Sequence, residues 1–138
     1  NAAEYESEIE DIDARLTEIV NNGARNELIF ADRFPFLYLA HDYGISYKAA
    51  FNSCTAESEP SAQKMVELIQ AIEKDHIPAV YTIEMSNGAI ARTLADETGV
   101  EILNMHSMQT VTQQEFDAGE TYLTLMRKNL DAIERGLN

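Results

Sequence analysis

The hydrophobic positions of the chain follow two spacings, one typical of helices and one typical of short buried strands. Over residues 4–21 apolar side chains recur every three or four positions among acidic ones, which predicts an amphipathic helix ended by Asn21-Asn22-Gly23. No capping signal precedes this helix, so we expect it to continue a longer one. Residues 113–136 predict a closing helix. The apolar residues expected on its inner face are Phe116, Leu123, Met126, Leu130 and Ile133.

Short apolar runs alternate with helical patterns between these two ends. The runs that predict strands lie at residues 27–31, 46–51, 79–83 and 100–105. The helical patterns lie at residues 34–43, 60–74 and 87–99. This alternation predicts an α/β fold, a single lobe with about four mostly parallel strands covered by helices on both faces.

The loops after the strands are the places to look for a ligand site, because parallel sheets bind ligands beyond the carboxyl ends of their strands. Four loops meet this condition, and they contain Asp32-Arg33, residues 52–60, Glu84-Met85-Ser86 and His106-Ser107. Their side chains include carboxylates and one imidazole, which are ligand types for divalent metals. A metal site at this edge is therefore the first hypothesis.

Composition mainly excludes partners and mechanisms. With 24 acidic against 10 basic residues the formal net charge is −14, and no basic cluster could bind nucleic acid or an anionic membrane. Cys54 is the only cysteine, which excludes an internal disulfide and a multi-cysteine zinc site. No enzymatic motif is present, so we do not expect catalysis. A small hydrolase using Cys54 with His106 is the only catalytic alternative that the residues suggest.

Glu57 and His106 are the leading candidate ligands, with Asp32 and Glu84 behind them. His106 ends the last predicted strand, although a histidine there can also be purely structural. Glu57 lies before a helix, where a carboxylate is equally suited to interact with the helix N-terminus.

Most of the other polar residues near these loops are equally compatible with structural roles or with exposure to solvent. Capping of the following helix is the expected role of Ser58 and Glu59. Glu84 is equally suited to accept N–H groups from the Ser86-Asn87-Gly88 turn. His41 and His76 are expected to be exposed.

Several stretches together resemble the C-terminal half of the metal-binding receptors of zinc and manganese ABC importers, a family that includes streptococcal adhesins. They are FADRFPFLYLAHDYGI, the segment from AESEPS to ADETG, ILNMHSM and AGETYLTLMRKNLDAIERGLN, in this order. The resemblance covers nearly the whole chain, and a Firmicutes subgroup with DRFPF and IExSNG is the most similar. It implies two lobes joined by a long helix. Residues 1–22 would end that helix and residues 23–138 would form the C-terminal lobe.

The resemblance also implies a function and a ligand set. Glu57 and His106 fall on the family's ligands from this lobe, with His106 standing where an aspartate is usual. Arg33 lies where many members have a ligating histidine, and a cation cannot coordinate a metal. The softer His106 favours Zn²⁺ over Mn²⁺.

The expected setting is a lipid-anchored receptor on a Gram-positive cell surface, working with an ABC permease and with an N-terminal lobe absent from this sequence. The alternative is an adhesin or scaffold whose metal site has degenerated, which Arg33 favours.

Overall fold

Helices and strands alternate along the chain in the computed structural model, which describes residues 1–51 and 59–138. The strands are β1 (Glu27–Arg33), β2 (Ser46–Phe51), β3 (Ala79–Ile83) and β4 (Glu101–Met105). The helices are α1 (Ala2–Asn22), α2 (Leu37–Tyr43), α3 (Ala62–Asp75), α4 (Ala89–Thr98), α5 (Gln113–Asp117) and α6 (Tyr122–Leu137). The predicted α/β class is confirmed.

The four strands form one parallel sheet in the order β2-β1-β3-β4. From β1 the chain passes to β2 on one side, and it then crosses to β3 and β4 on the other. The strand order therefore reverses between β1 and β3, and ligand sites in open α/β sheets lie at such a point, beyond the carboxyl ends of the strands. Glu84-Met85-Ser86 and His106-Ser107 follow such ends, as predicted. Asp32-Arg33, predicted in a loop, instead form the last two residues of β1. Residues 52–58 of the fourth predicted loop lie outside the described residues.

Two hydrophobic layers cover the sheet, as expected for strands that are apolar on both faces. One layer packs α1, α2 and α6 against residues such as Phe30, Tyr81 and Met105. The other packs α3 and α4 against Ile29 and Val80. Neighbouring residues of one strand thus point into different layers, which explains why the predicted strands lack a polar face.

Helix α6 approaches the sheet closely at Gly136. A Cβ atom at this position would lie 1.7 Å from the Tyr81 hydroxyl oxygen, so only glycine fits. The hydroxyl donates a hydrogen bond of 2.7 Å to the Ala132 carbonyl. This contact locks the middle of the sheet to α6.

Helix α1 is buried only in its second half, where Ile12, Leu16 and Ile19 pack into the core. Tyr5 and Ile9, which share the predicted apolar face, are 46% and 40% exposed. The expectation that no capping residue precedes the helix is wrong, because the Asn1 side chain accepts a hydrogen bond from the Ala3 N–H.

The prediction of one continuous closing helix over residues 113–136 is wrong. It is two helices, α5 and α6, separated by Gly119 in a left-handed conformation with φ 74°. Thr121 then caps α6 anew. Phe116, predicted on the inner face, belongs to the separate helix α5 and is 73% exposed. Within the described part of the chain, none of the helices combines the length and apolar character needed to cross a membrane.

Candidate metal site

The ends of β3 and β4 bring two candidate ligands to neighbouring positions. Ile83 and Met105 are register partners in the parallel pair, so the residues that follow them, Glu84 and His106, emerge side by side. The sequence shows that both residues follow strands, and the pairing of β3 with β4 brings them together. The structure therefore places His106 at the edge where the site was expected.

The backbone of His106 is fixed by a buried asparagine from α6. The His106 N–H donates to Asn129 Oδ1 at 2.8 Å, and Asn129 Nδ2 donates to the His106 carbonyl at 2.8 Å. Asn129 is 1% exposed and His106 6%. Paired hydrogen bonds in a buried setting leave little freedom, so the imidazole projects from a rigid point.

The two ring nitrogens of His106 have different partners. Nδ1 accepts a hydrogen bond of 2.9 Å from the Met108 N–H. Nε2 lies 3.3 Å from Glu115 Oε1 and 3.4 Å from Oε2. Because the backbone amide can only donate, Nδ1 must present its lone pair, and Nε2 carries the proton that points at the carboxylate.

Glu115 is held in place by the start of α5. The Thr112 N–H and hydroxyl both donate to Glu115 Oε2 at 2.8 Å, and the Thr112 hydroxyl accepts from the Glu115 N–H in a capping box. These hydrogen bonds from Thr112, with a smaller contribution from His106, lower the pKa of Glu115. The carboxylate facing His106 is therefore ionised and positioned before any ligand arrives.

Sequence reasoning missed both Glu115 and Asn129. Thr112 and Glu115 have the spacing of a capping box, which signals a helix start at residue 113 and a carboxylate turned back toward the preceding chain. Nothing in this local signal indicates that the carboxylate faces His106. No local signal marks Asn129, because its role depends on how α6 crosses the end of β4.

Glu84 serves as a clamp for the neighbouring loop. Its Oε2 accepts the Ser107 N–H at 2.8 Å, and its Oε1 accepts the Ser107 hydroxyl. The expected alternative, acceptance from the Ser86-Asn87-Gly88 turn, is wrong about the donor, since the Gly88 N–H donates to the Ser86 hydroxyl instead. Each carboxylate oxygen has a second lone pair, so the clamp does not exclude metal contact.

Asp32 and Arg33 end β1 with different chemistry. Asp32 Oδ1 accepts the Arg33 N–H at 2.8 Å. The Arg33 guanidinium lies over the Phe51 ring, 5.5 Å from its centroid, within the range of a cation–π contact. The β1 end thus contributes positive charge beside the point where the strand order reverses.

The other candidates divide into those outside the described residues and those on the surface. Glu57, Ser58 and Cys54 lie outside the described residues. The expected capping role of Glu59 is wrong, because Ser61 caps α3 by accepting the Lys64 N–H at 3.1 Å.

The two remaining histidines are exposed as predicted. His41 lies beside Asp42, and His76 ends α3 in a left-handed conformation. Across residues 1–51 and 59–138, no three His, Cys, Asp or Glu side chains converge so as to hold one metal ion. The described residues therefore do not form a complete metal site by themselves.

The chain matches known proteins over nearly its whole length. Residues 1–136 match the family described as ZnuA, zinc-uptake complex component A, periplasmic. The zinc-binding lipoprotein AdcA of Streptococcus pneumoniae is 31% identical over 135 residues, which are 98% of this chain and 26% of AdcA. The high-affinity zinc uptake system protein ZnuA of Bacillus subtilis is 26% identical over 137 residues, 99% of this chain and 42% of that protein. The chain thus spans between a quarter and a half of these relatives.

Solved structures give the same picture. The Zn(II)-bound ZnuA-like domain of S. pneumoniae AdcA matches with a TM-score of 0.77 and 30% identity, covering 99% of this chain and 51% of that domain. The metal-dependent lipoprotein YcdH of B. subtilis matches with a TM-score of 0.82 and 26% identity, covering 100% and 52%. The resemblance noted in the sequence is confirmed, and the chain belongs to the ZnuA family of zinc-uptake components.

Proposed function

We propose that this chain is the C-terminal lobe of an extracytoplasmic receptor that captures a divalent transition metal for an ABC importer. Residues 1–22 would end the helix that joins two lobes, and residues 23–138 would form the lobe itself. The half-exposed Tyr5 and Ile9 on α1 support this division, because their apolar face extends beyond the core that the described residues build.

The observation that carries the proposal is the placement of His106. Its backbone is fixed by Asn129, its side chain is nearly buried, and it stands at the sheet edge beside Glu84. A nitrogen donor on a rigid support is a suitable ligand for a transition metal. A closed zinc site needs about four ligands, so the remaining ones must come from elsewhere. We assign one of them to Glu57 and the others to the second lobe.

Zinc is proposed over manganese because of ligand type. An imidazole in place of the usual carboxylate makes the donor set softer, and imidazole suits zinc whereas carboxylates suit manganese. The names of AdcA and ZnuA also describe zinc-binding proteins, which supports this choice.

The proposed receptor performs no catalysis. It would bind the metal between its lobes, stay tethered to a Gram-positive surface by a lipid anchor, and deliver the metal to a permease. In this role the metal is cargo.

Metal affinity of the full-length protein tests the proposal. Zinc competition with a chromophoric chelator is expected to show that His106→Ala and Glu57→Ala each weaken binding by a factor of 10 or more, about 1.4 kcal/mol per factor of 10. His76→Ala is the matched control, because it removes an exposed histidine that precedes the start of β3 and does not lie at the carboxyl ends of the strands. Unchanged affinity in both variants would exclude this site. The 138-residue chain alone should bind zinc weakly, and nanomolar binding would contradict the two-lobe proposal.

A second candidate function is an adhesin or scaffold with a degenerate site. Arg33 favours it, because the guanidinium stacks on Phe51 at the end of β1 and cannot ligate a metal. This function predicts that the full-length protein binds no zinc even with Glu57 and His106 intact. The same titration of the unmutated protein therefore separates the two.

A further inference from the structure

We infer that His106 presents Nδ1 to the metal and that Glu115 is the positioning residue which keeps the ring proton on Nε2. The inference rests on the proposed function, because it concerns how the same side chain would bind zinc. It adds a residue, Glu115, that is not itself a proposed ligand.

The hydrogen bonds around the ring already fix one tautomer. The Met108 N–H points at Nδ1 from 2.9 Å, and an amide hydrogen cannot face another hydrogen. The ring proton is therefore on Nε2, where Glu115 Oε1 accepts it at 3.3 Å. A metal binds the lone pair of a neutral imidazole, and Nδ1 is the nitrogen that has it.

Coordination through Nδ1 requires fewer changes than coordination through Nε2. It displaces one hydrogen bond, that from Met108, whose left-handed backbone (φ 67°) is a conformation that non-glycine residues rarely adopt. Coordination through Nε2 would move the proton to Nδ1, directly against the Met108 N–H. It would also displace Glu115 from the ring, although Thr112 holds that carboxylate with two hydrogen bonds.

Glu115 would then act on the metal through His106. A carboxylate that accepts the second ring N–H fixes the orientation of the imidazole and makes its other nitrogen a better donor. Glu115 is prepared for this role because the capping box holds it in place independently of the histidine. Loss of such a partner weakens metal affinity by about 10- to 100-fold in other sites.

Nitrogen-15 NMR of the His106 ring tests the tautomer directly in the full-length protein. Without metal, we expect Nε2 to show the shift of a protonated nitrogen and Nδ1 that of a lone-pair nitrogen. On addition of zinc, the Nδ1 resonance should move most while Nε2 keeps its proton. A spectrum in which zinc binds Nε2, with Nδ1 protonated or Glu115 joining as a ligand, would overturn the inference.

Zinc affinity of two variants tests the role of Glu115. Glu115→Gln preserves a capping-box side chain but removes the charge, and it should weaken zinc binding about 10-fold or more. Asp117→Asn removes a charge from the same short helix, where Asp117 pairs with Gln113, and should leave affinity unchanged. Equal affinities in the two variants would overturn the inference.

His106→Ala separates failure of this inference from failure of the proposed function. If His106→Ala loses zinc while Glu115→Gln does not, the receptor function stands and the role of Glu115 falls. If His106→Ala binds zinc normally, both fall together. Thermal unfolding of Glu115→Gln without metal checks that a change in affinity does not come from loss of folding.

Discussion

Two of the contacts between helix α6 and the sheet differ in kind. Near its end, Gly136 lets the Tyr81 ring pass so closely that a single added carbon would collide with it. About two helical turns earlier, Asn129 holds the end of β4 through two hydrogen bonds to the backbone of His106. The first contact is steric and leaves no space for an added atom. The second is polar and supports the His106 ring, whose hydrogen-bond partners can be exchanged for a metal.

This difference separates what stabilises the lobe from what could bind a ligand. Close packing resists any change of volume, so a substitution in the middle of the sheet is expected to destabilise the fold. Hydrogen bonds at the carboxyl edge can be replaced by bonds to a metal at a moderate net cost. The predictions that follow test whether the two contacts of α6 behave in these two ways.

The largest expected effect is from Gly136→Ala. In an exposed helix this change stabilises by about 1 kcal/mol, but here the new Cβ would meet the Tyr81 hydroxyl, and overpacking of this kind costs about 3 kcal/mol or more. Urea unfolding measures the loss. Combining it with Tyr81→Phe, which removes the hydroxyl, should cost less than the sum of the two single changes. Strict additivity would show that the contact is not the cause.

Asn129→Ala should have the next largest effect. It leaves the His106 N–H and carbonyl buried without partners, which costs about 2–4 kcal/mol for the two groups together. Lys128→Ala, one position earlier and exposed, is the control and should cost under about 1 kcal/mol. Similar losses in both variants would mean that the edge is not rigidly held.

Alkaline pH should act on the middle of the sheet. Burial raises the pKa of Tyr81 above its usual value of 10.0, so the unfolded chain loses this proton at a lower pH than the folded one. The contribution of Tyr81 to the free energy of unfolding is therefore fully present below pH 10. It decreases above pH 10 by up to about 1.4 kcal/mol per pH unit. Tyr43, whose pKa is raised to about 12 mainly by burial, should act in the same direction.

The comparison of unmutated protein with Tyr81→Phe isolates the part due to the core tyrosine. Urea midpoints measured between pH 8 and 11 should fall less steeply in the variant than in the unmutated protein. Parallel curves would place the alkaline sensitivity outside the middle of the sheet.

Acidic pH should act on the edge. Hydrogen bonds from Thr112 lower the pKa of Glu115 below 4.5, so its contribution is present above that value and disappears as the pH falls through the lowered pKa. Unfolding midpoints between pH 6 and 3 should fall less in Glu115→Gln than in the unmutated protein. Asp117→Asn is the control on the same helix, and an equal response in the two variants would contradict the assignment.

The smallest effect should come from Ser107→Ala. It removes the hydroxyl donor to Glu84 but leaves the Ser107 N–H in place, so the loop keeps half of its clamp. A loss of about 1 kcal/mol is expected in urea unfolding. A loss as large as that of Asn129→Ala would show that the clamp, and not α6, fixes the edge.

The sequence predicts the middle of the molecule better than its edge. Strands 46–51 and 79–83 have the predicted bounds because short apolar runs between turn residues have few other interpretations. The apolar spacing predicts one continuous closing helix because it runs across Gly119 without a break. The left-handed conformation of Gly119 instead separates α5 from α6.

The edge was predicted only as a list of residues. His106 follows from its place after a strand, but its partners Glu115 and Asn129 lie 9 and 23 positions further along the chain. Their roles depend on how α5 and α6 are placed, which no local pattern determines. The assignment of Glu57, outside the described residues, remains a proposal from family resemblance.

A crystal structure of the full-length protein with zinc, located by its anomalous scattering, tests the central claim most directly. We expect zinc about 2.0–2.1 Å from the His106 ring, with the remaining ligands completing a shell between two lobes. Zinc bound in the cleft without any contact to His106 would contradict the assignment of this edge as the metal site.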